Sequence, residues 1–105
     1  MAKKSSSDKA SAALVLDADL RIASAPALRE TLLTALASGQ RVELDGAGVT
    51  HIDTAGLQLL AAFSRDARAR DLAPVWLAAS EAVHKGVATL ALHDLIELPA
   101  RAGVN

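Results

Sequence analysis

Apolar and polar positions follow two rhythms along this chain, and the alternation between them predicts its elements. The run Ala13-Leu14-Val15-Leu16 has strand character, Asp17-Ala18-Asp19 reads as a turn, and Leu20-Arg21-Ile22 alternates as a second short strand. These two strands are expected to pair as a hairpin. Leu28, Leu32 and Leu36 recur at intervals of four, the stripe of a helix that is capped by Ser24, carries Pro26 in its first turn and ends near Ser38. Gly39 follows at the position where helices commonly turn left-handed. Arg41-Val42-Glu43-Leu44 alternates again, and Asp45-Gly46-Ala47-Gly48 breaks the strand as a turn. Val49-Thr50-His51-Ile52 leads into Asp53, and a helical pattern runs from Thr54 to near Ala69. After a loop from Asp71 to Pro74, Val75-Trp76-Leu77-Ala78 reads as a buried strand. Ser80 caps a further helix with Glu81 at its positive end, lined by Val83, Val87 and Leu90 and weakened by Gly86. Leu92 to Leu98 is a short apolar close, a last strand or a turn, and Pro99 ends regular structure.

Strands alternating with helices predict an α/β domain: an open mixed β-sheet of four to five strands flanked by helices. A chain of 105 residues supports one core, placed over residues 12–99, with a disordered N-terminal tail over 1–11 and a C-terminal tail over 100–105. The core is aliphatic. One Trp, one Phe and no Tyr make a poor inventory for stacking bases, and a net charge of −1 gives no field to draw in nucleic acid or an anionic membrane. There is no cysteine, no signal-peptide pattern and no apolar run of membrane-spanning length, so a cytoplasmic protein with a protein partner is expected.

Candidate chemistry is sparse. His51, His84 and His93 lie on three separate elements without metal-ligand spacing, and neither a Walker loop nor a G-x-G-x-x-G fingerprint occurs. Asp17 and Asp19 are explained by a turn, and Trp76 by the core. No catalytic residue, metal or cofactor is expected, and the chain does not read as an enzyme.

One segment is more specific. In His51-Ile52-Asp53-Thr54-Ala55-Gly56-Leu57-Gln58-Leu59-Leu60, Asp53 can cap the helix and place the Thr54 hydroxyl at its positive mouth. A phosphoryl group there would bring about −1.5 to −2 charges to a site suited to accept them. Gly56 leaves the first turn bare, open to the close approach of a partner's backbone or required for packing within the chain. At 100° per residue Leu57, Leu60, Ala61, Ser64 and Arg68 share one face, with Arg68 at a frayed end, and Leu59, Ala62, Phe63 and Asp66 the other. Leu59 and Phe63 are therefore expected to point away from the core as part of a docking surface, unless the buried stripe is wider. The expected partner-binding residues are Asp53, Thr54, Ala55, Gly56, Gln58, Leu59 and Phe63.

Val42-Glu43-Leu44-Asp45 followed by Asp53-Thr54-Ala55-Gly56-Leu57 resembles a STAS domain, the fold shared by anti-sigma factor antagonists and the cytoplasmic tails of sulfate transporters. The resemblance covers about Ala12 to Leu98 and implies a STAS-like mixed sheet of four or five strands with flanking helices. In the antagonist branch a partner kinase phosphorylates a Ser or Thr of this motif, and the added charge releases or blocks the partner. Many such motifs offer two adjacent hydroxyls, whereas here position 55 is Ala and Thr54 alone could accept the group. Related branches are small stand-alone proteins of chemotaxis or two-component systems, and the small subunit of a bacterial lipid-transport ABC complex that docks on its ATPase. The resemblance thus implies a kinase, an anti-sigma factor or another signalling protein as partner, or alternatively an ABC ATPase. Self-association through an edge strand stays open.

Overall fold

The computed structural model describes residues 11–100. The N-terminal and C-terminal tails expected for residues 1–11 and 100–105 fall almost wholly outside them. Five strands and three α-helices follow in the order β1 (Ser11–Val15), β2 (Asp19–Leu20), α1 (Ala25–Ala37), β3 (Arg41–Gly46), β4 (His51–Ile52), α2 (Thr54–Ala69), β5 (Val75–Ala79) and α3 (Glu81–Thr89). A single 3-10 turn, Ile22–Ser24, leads into α1. This is the expected α/β architecture.

The pairing differs from expectation in two respects. The predicted hairpin does not form: β1 pairs in parallel with β3, Ser11 opposite Arg41 and Val15 opposite Asp45, and β2 pairs in parallel with β4. Asp17-Ala18-Asp19 has no glycine to supply the positive φ of a tight two-residue hairpin, so the chain does not reverse there. The Ala18 carbonyl instead accepts from the amides of Thr50 (2.8 Å) and His51 (3.0 Å), which starts the β2–β4 pair. Second, the strands form a three-stranded sheet in the order β1-β3-β5 and a two-stranded one, β2-β4, rather than one mixed sheet. Every pairing among them is parallel, as expected where helices carry the chain back to the same end each time.

Helix α1 buries Leu28, Leu32 and Leu36 as their spacing predicts. Its start is a correction. Ser24 adopts φ −95°, ψ −1° and makes no side-chain cap, because a cap needs extended backbone to aim the hydroxyl into the first turn. Gly39 follows the helix with φ +75°, as expected. Ser80 does cap α3, accepting from the Val83 amide at 3.3 Å. Leu92 to Leu98 is turn rather than strand, and it contributes Ile96 to the core. Arg68 donates to the Asp94 carbonyl (2.6 Å) and faces Glu97 at 3.7 Å, so it holds this closing segment rather than fraying.

Helix α2 lies between the other layers. Besides Leu57, Leu60, Ala61 and Ser64 it buries Gly56, Phe63 and Ala67, an arc of about 160° at 100° per residue. The wider stripe therefore holds, and the expectation that Phe63 faces outward is overturned. Phe63 is 5% exposed and lines the α1–α2 seam with Leu32 and Leu36. Leu59, at the edge of the arc, is half-buried.

Gly56 is packed rather than left bare for a partner. A Cβ on it would overlap the Leu20 carbonyl oxygen and meet Ile52 at 3.1 Å. Replacing Gly by Ala in a free helix gains up to about 1 kcal/mol, but overpacking against a backbone carbonyl costs about 1–3 kcal/mol because the carbonyl cannot rotate away. Gly56→Ala is therefore expected to lower stability by roughly 1–2 kcal/mol, read as a drop in the urea midpoint without a change in slope. An unchanged or raised midpoint would show that β2 and α2 are free to separate.

Candidate docking site

Asp53 organises the motif. Its backbone is extended (φ −121°, ψ −173°), the geometry of a helix N-cap, and Oδ1 accepts from the Gly56 amide at 3.2 Å. Oδ2 accepts from the amide of Ile22 at 2.8 Å, thirty-one residues earlier. One carboxylate thus caps α2 and ties the 3-10 turn before α1 to it. The sequence indicated the cap; nothing in it indicated the second bond, which depends on β2 and β4 pairing side by side.

Thr54 is the first residue of α2 and is exposed, its hydroxyl making no hydrogen bond among the described residues. It lies on the rim of a cleft of about 380 Å³, lined also by Arg21, Thr50, His51, Leu57 and Lys85. Gly86 keeps the α3 wall of this cleft close, since a Cβ there would stand 2.6 Å from Leu57 Cδ1. On the other side of the same helix start, Ala55, Gln58 and Leu59 line a mainly apolar groove of about 770 Å³ with Ile22, Pro26 and Arg29. Ile22 is 66% exposed and is the largest bare apolar side chain on this groove. Of the seven expected residues, the structure brings Thr54, Ala55, Gln58 and Leu59 to this surface and places Gly56 and Phe63 beneath it, with Asp53 half-buried as the tie between elements.

Sequence reasoning missed Ile22, Pro26, Arg21 and Lys85 as site residues. Ile22 was assigned to a strand and Pro26 to a helix start. The Asp53–Ile22 bond and the closure of α1 on α2 bring these two beside Thr54, and α3 brings Lys85 to the cleft.

Arg21 and Asp19 form a forked pair on the approach to the cleft. The guanidinium donates to Asp19 at 2.9 and 2.8 Å, and the Arg21 amide adds a third bond at 3.0 Å. The guanidinium bonds first, and the amide second, hold the Asp19 carboxyl down at about 2. Among the described residues no group of three or more His, Cys, Asp or Glu side chains is placed to hold a metal ion. No helix among them is long and apolar enough to cross a membrane.

The chain matches a family model described as Mlab, STAS domain, over residues 4–97. The chain belongs to the STAS domain family. STAS domains in general serve as non-enzymatic modules for protein–protein interaction and regulation. A search of curated proteins found no match.

Two outcomes are expected from this STAS geometry. Asp53→Ala removes the cap and leaves the Ile22 amide without its acceptor, a loss of about 2 kcal/mol and a fall in Tm of about 10 °C for a domain of this size. Asp53→Asn, which keeps one acceptor oxygen, should recover part of it. The Asp19 carboxyl has a folded value below the unfolded one near 3.9, so its contribution is present above about pH 4 and lost as pH falls through about 2. Urea midpoints of wild type and Asp19→Asn should therefore converge near pH 2 and separate by pH 5, wild type the higher; a constant gap would remove the carboxylate as the cause.

Proposed function

We propose that this STAS domain is a cytoplasmic, non-enzymatic signalling adaptor that docks a protein partner on the start of α2 and is switched by phosphorylation of Thr54. The observation that carries this reading is the position of Thr54 at the ridge between two surfaces. Its exposed hydroxyl lines the cleft that holds Arg21, His51 and Lys85, and the next residues line the apolar groove with Ile22 and Pro26. A partner seated on the groove would cover Ile22 and Leu59 and pass over Thr54. A phosphoryl group at that point would sit on the helix mouth, within a basic-lined cleft, and would oppose a partner that carries acidic or desolvated apolar atoms there. The Asp53 carboxylate is occupied by the Gly56 and Ile22 amides, so the added charge need not break the cap. The kinase or anti-sigma-factor class of partner implied by the STAS motif fits a switch of this kind.

A second reading has its own support. The groove is apolar without any modification, which suits constitutive docking on an ATPase subunit, as in an ABC complex for lipid transport. In that case the contact would depend on Ile22 and Leu59 and not on the charge state of Thr54.

Pull-downs with wild type, Thr54→Glu, Thr54→Ala and Ile22→Asp as baits separate the two. For the switch, Thr54→Glu loses the partner by about tenfold or more, Thr54→Ala keeps it, and Ile22→Asp loses it. If Thr54→Glu and Thr54→Ala retain the partner equally while Ile22→Asp fails, docking is constitutive. Retention by Ile22→Asp at the wild-type level would overturn both. Phe63→Asp is unsuitable as a probe, because Phe63 is buried between α1 and α2 and its loss would unseat the helices.

A further inference from the structure

Helices α1 and α2 run parallel, side by side. Ala25 and Ala55 line the seam between them near its start, Arg29 and Leu59 line it further on, and Leu36 and Asp66 line its far end. Each helix buries one stripe, and the pair keeps an outer surface with exposed Leu33 (45%) and half-buried Leu59 and Ala62. Because the helices are parallel, their macrodipoles point the same way on this surface.

The charges of the two helices follow a pattern. Helix α1 carries Arg29 and Glu30, and α2 carries Arg65, Asp66 and Arg68. Arg68 is turned to the closing segment, and the other four are exposed. Arg29 and Glu30 make no ion pair among the described residues, and Asp66 has a loose one, 3.6 Å from its neighbour Arg65. With Arg29 level with Leu59, Asp66 lies seven residues further along, about 10 Å. Counted in the same way, Arg65 lies five residues beyond Glu30, about 7.5 Å. Both cation–anion pairs share one midpoint, at the level of Leu33 and Ala62. An isologous contact requires such an arrangement, since what lies on one side of its two-fold axis must complement what lies equally far on the other. A contact with an unrelated protein makes no such demand. An axis across the helices at Leu33 and Ala62 sets Arg29 against the second copy's Asp66 and Glu30 against its Arg65, each pair twice. It also reverses the helices between copies, so their macrodipoles oppose.

We infer that the outer surface of α1 and α2 is a self-association face, which takes a second copy of this chain in antiparallel, two-fold register. Leu33 lies at the axis and meets its own counterpart, with Leu59 and Ala62 beside it. Helices of 13 and 16 residues give a surface about 20 Å long and two helix diameters wide, at the small end of protein interfaces, so the dimer forms reversibly. The face shares Leu59 with the groove beside Thr54, yet the pairing needs neither a partner protein nor phosphorylation.

Sedimentation velocity of the full chain, from about 5 μM to about 1 mM, should show a monomer–dimer equilibrium. Arg29→Glu and Asp66→Arg should each weaken the dimer about tenfold or more, because each sets like charges together twice. The double variant Arg29→Glu/Asp66→Arg restores both pairs with the charges exchanged and should recover the wild-type dimer. Leu33→Asp, which places two carboxylates at the axis, should leave monomer alone. These side chains are exposed, so all four variants should keep the wild-type urea midpoint. Thr54→Glu should dimerise as wild type does. A monomer at every concentration, a dimer that both single reversals leave intact, or a double variant no stronger than the singles would overturn the inference.

Discussion

The seating of helix α2 on strand β2 is the contact on which most of this molecule depends. At its start the Gly56 backbone lies against the Leu20 carbonyl, closer than any side chain permits, and three residues earlier the Asp53 carboxylate bridges the Gly56 amide and the distant amide of Ile22. The first interaction is a steric requirement and the second supplies direction. Together they fix the height and the angle at which α2 crosses, and hence where Leu57, Leu60 and Phe63 enter the core. A helix held so closely at its first turn can bury an arc wide enough to meet the sheets on one side and α1 on the other.

The same constraint builds the candidate site. The bond from Asp53 to Ile22 pulls the 3-10 turn against the helix start, which leaves Ile22 projecting beside Leu59 and brings Arg21 to the cleft edge. Thr54 stands on the ridge between an apolar and a basic-lined surface because the residue before it is committed to holding the ridge together. In physical terms the motif divides its labour. Asp53 and Gly56 hold the structure together, while Thr54 and Gln58 stand exposed and Ala55 half-buried at its surface.

The two sheets are unequal. The small β2-β4 pair leads into the Asp53–Gly56 segment, and the larger β1-β3-β5 sheet carries an outer face with exposed Val15 and Leu77. The core alone does not require that face to be apolar. Polar side chains at positions 15, 75 and 77 would cost the domain little, since none of them is buried within it.

By itself the sequence determined the elements and the motif. The four-residue spacing of Leu28, Leu32 and Leu36, the alternation through Val42 and Leu44, and the cap at Asp53 are local signals, set by backbone geometry within a few residues, and each stands where it was read. What lay beyond it was everything set by which strand lies beside which. Without a glycine to reverse the chain at Asp17-Ala18-Asp19, β1 and β2 passed to different partners, and that choice is made by long-range pairing. Phe63 looked outward because the helical wheel places it beyond the sheet-facing residues, yet it is buried because α1 packs on that side, a neighbour no wheel displays. Gly56 looked equally suited to a partner or to the core. Only tertiary structure placed the Leu20 carbonyl against it, and so decided that the glycine belongs to the fold and the threonine beside it to the surface.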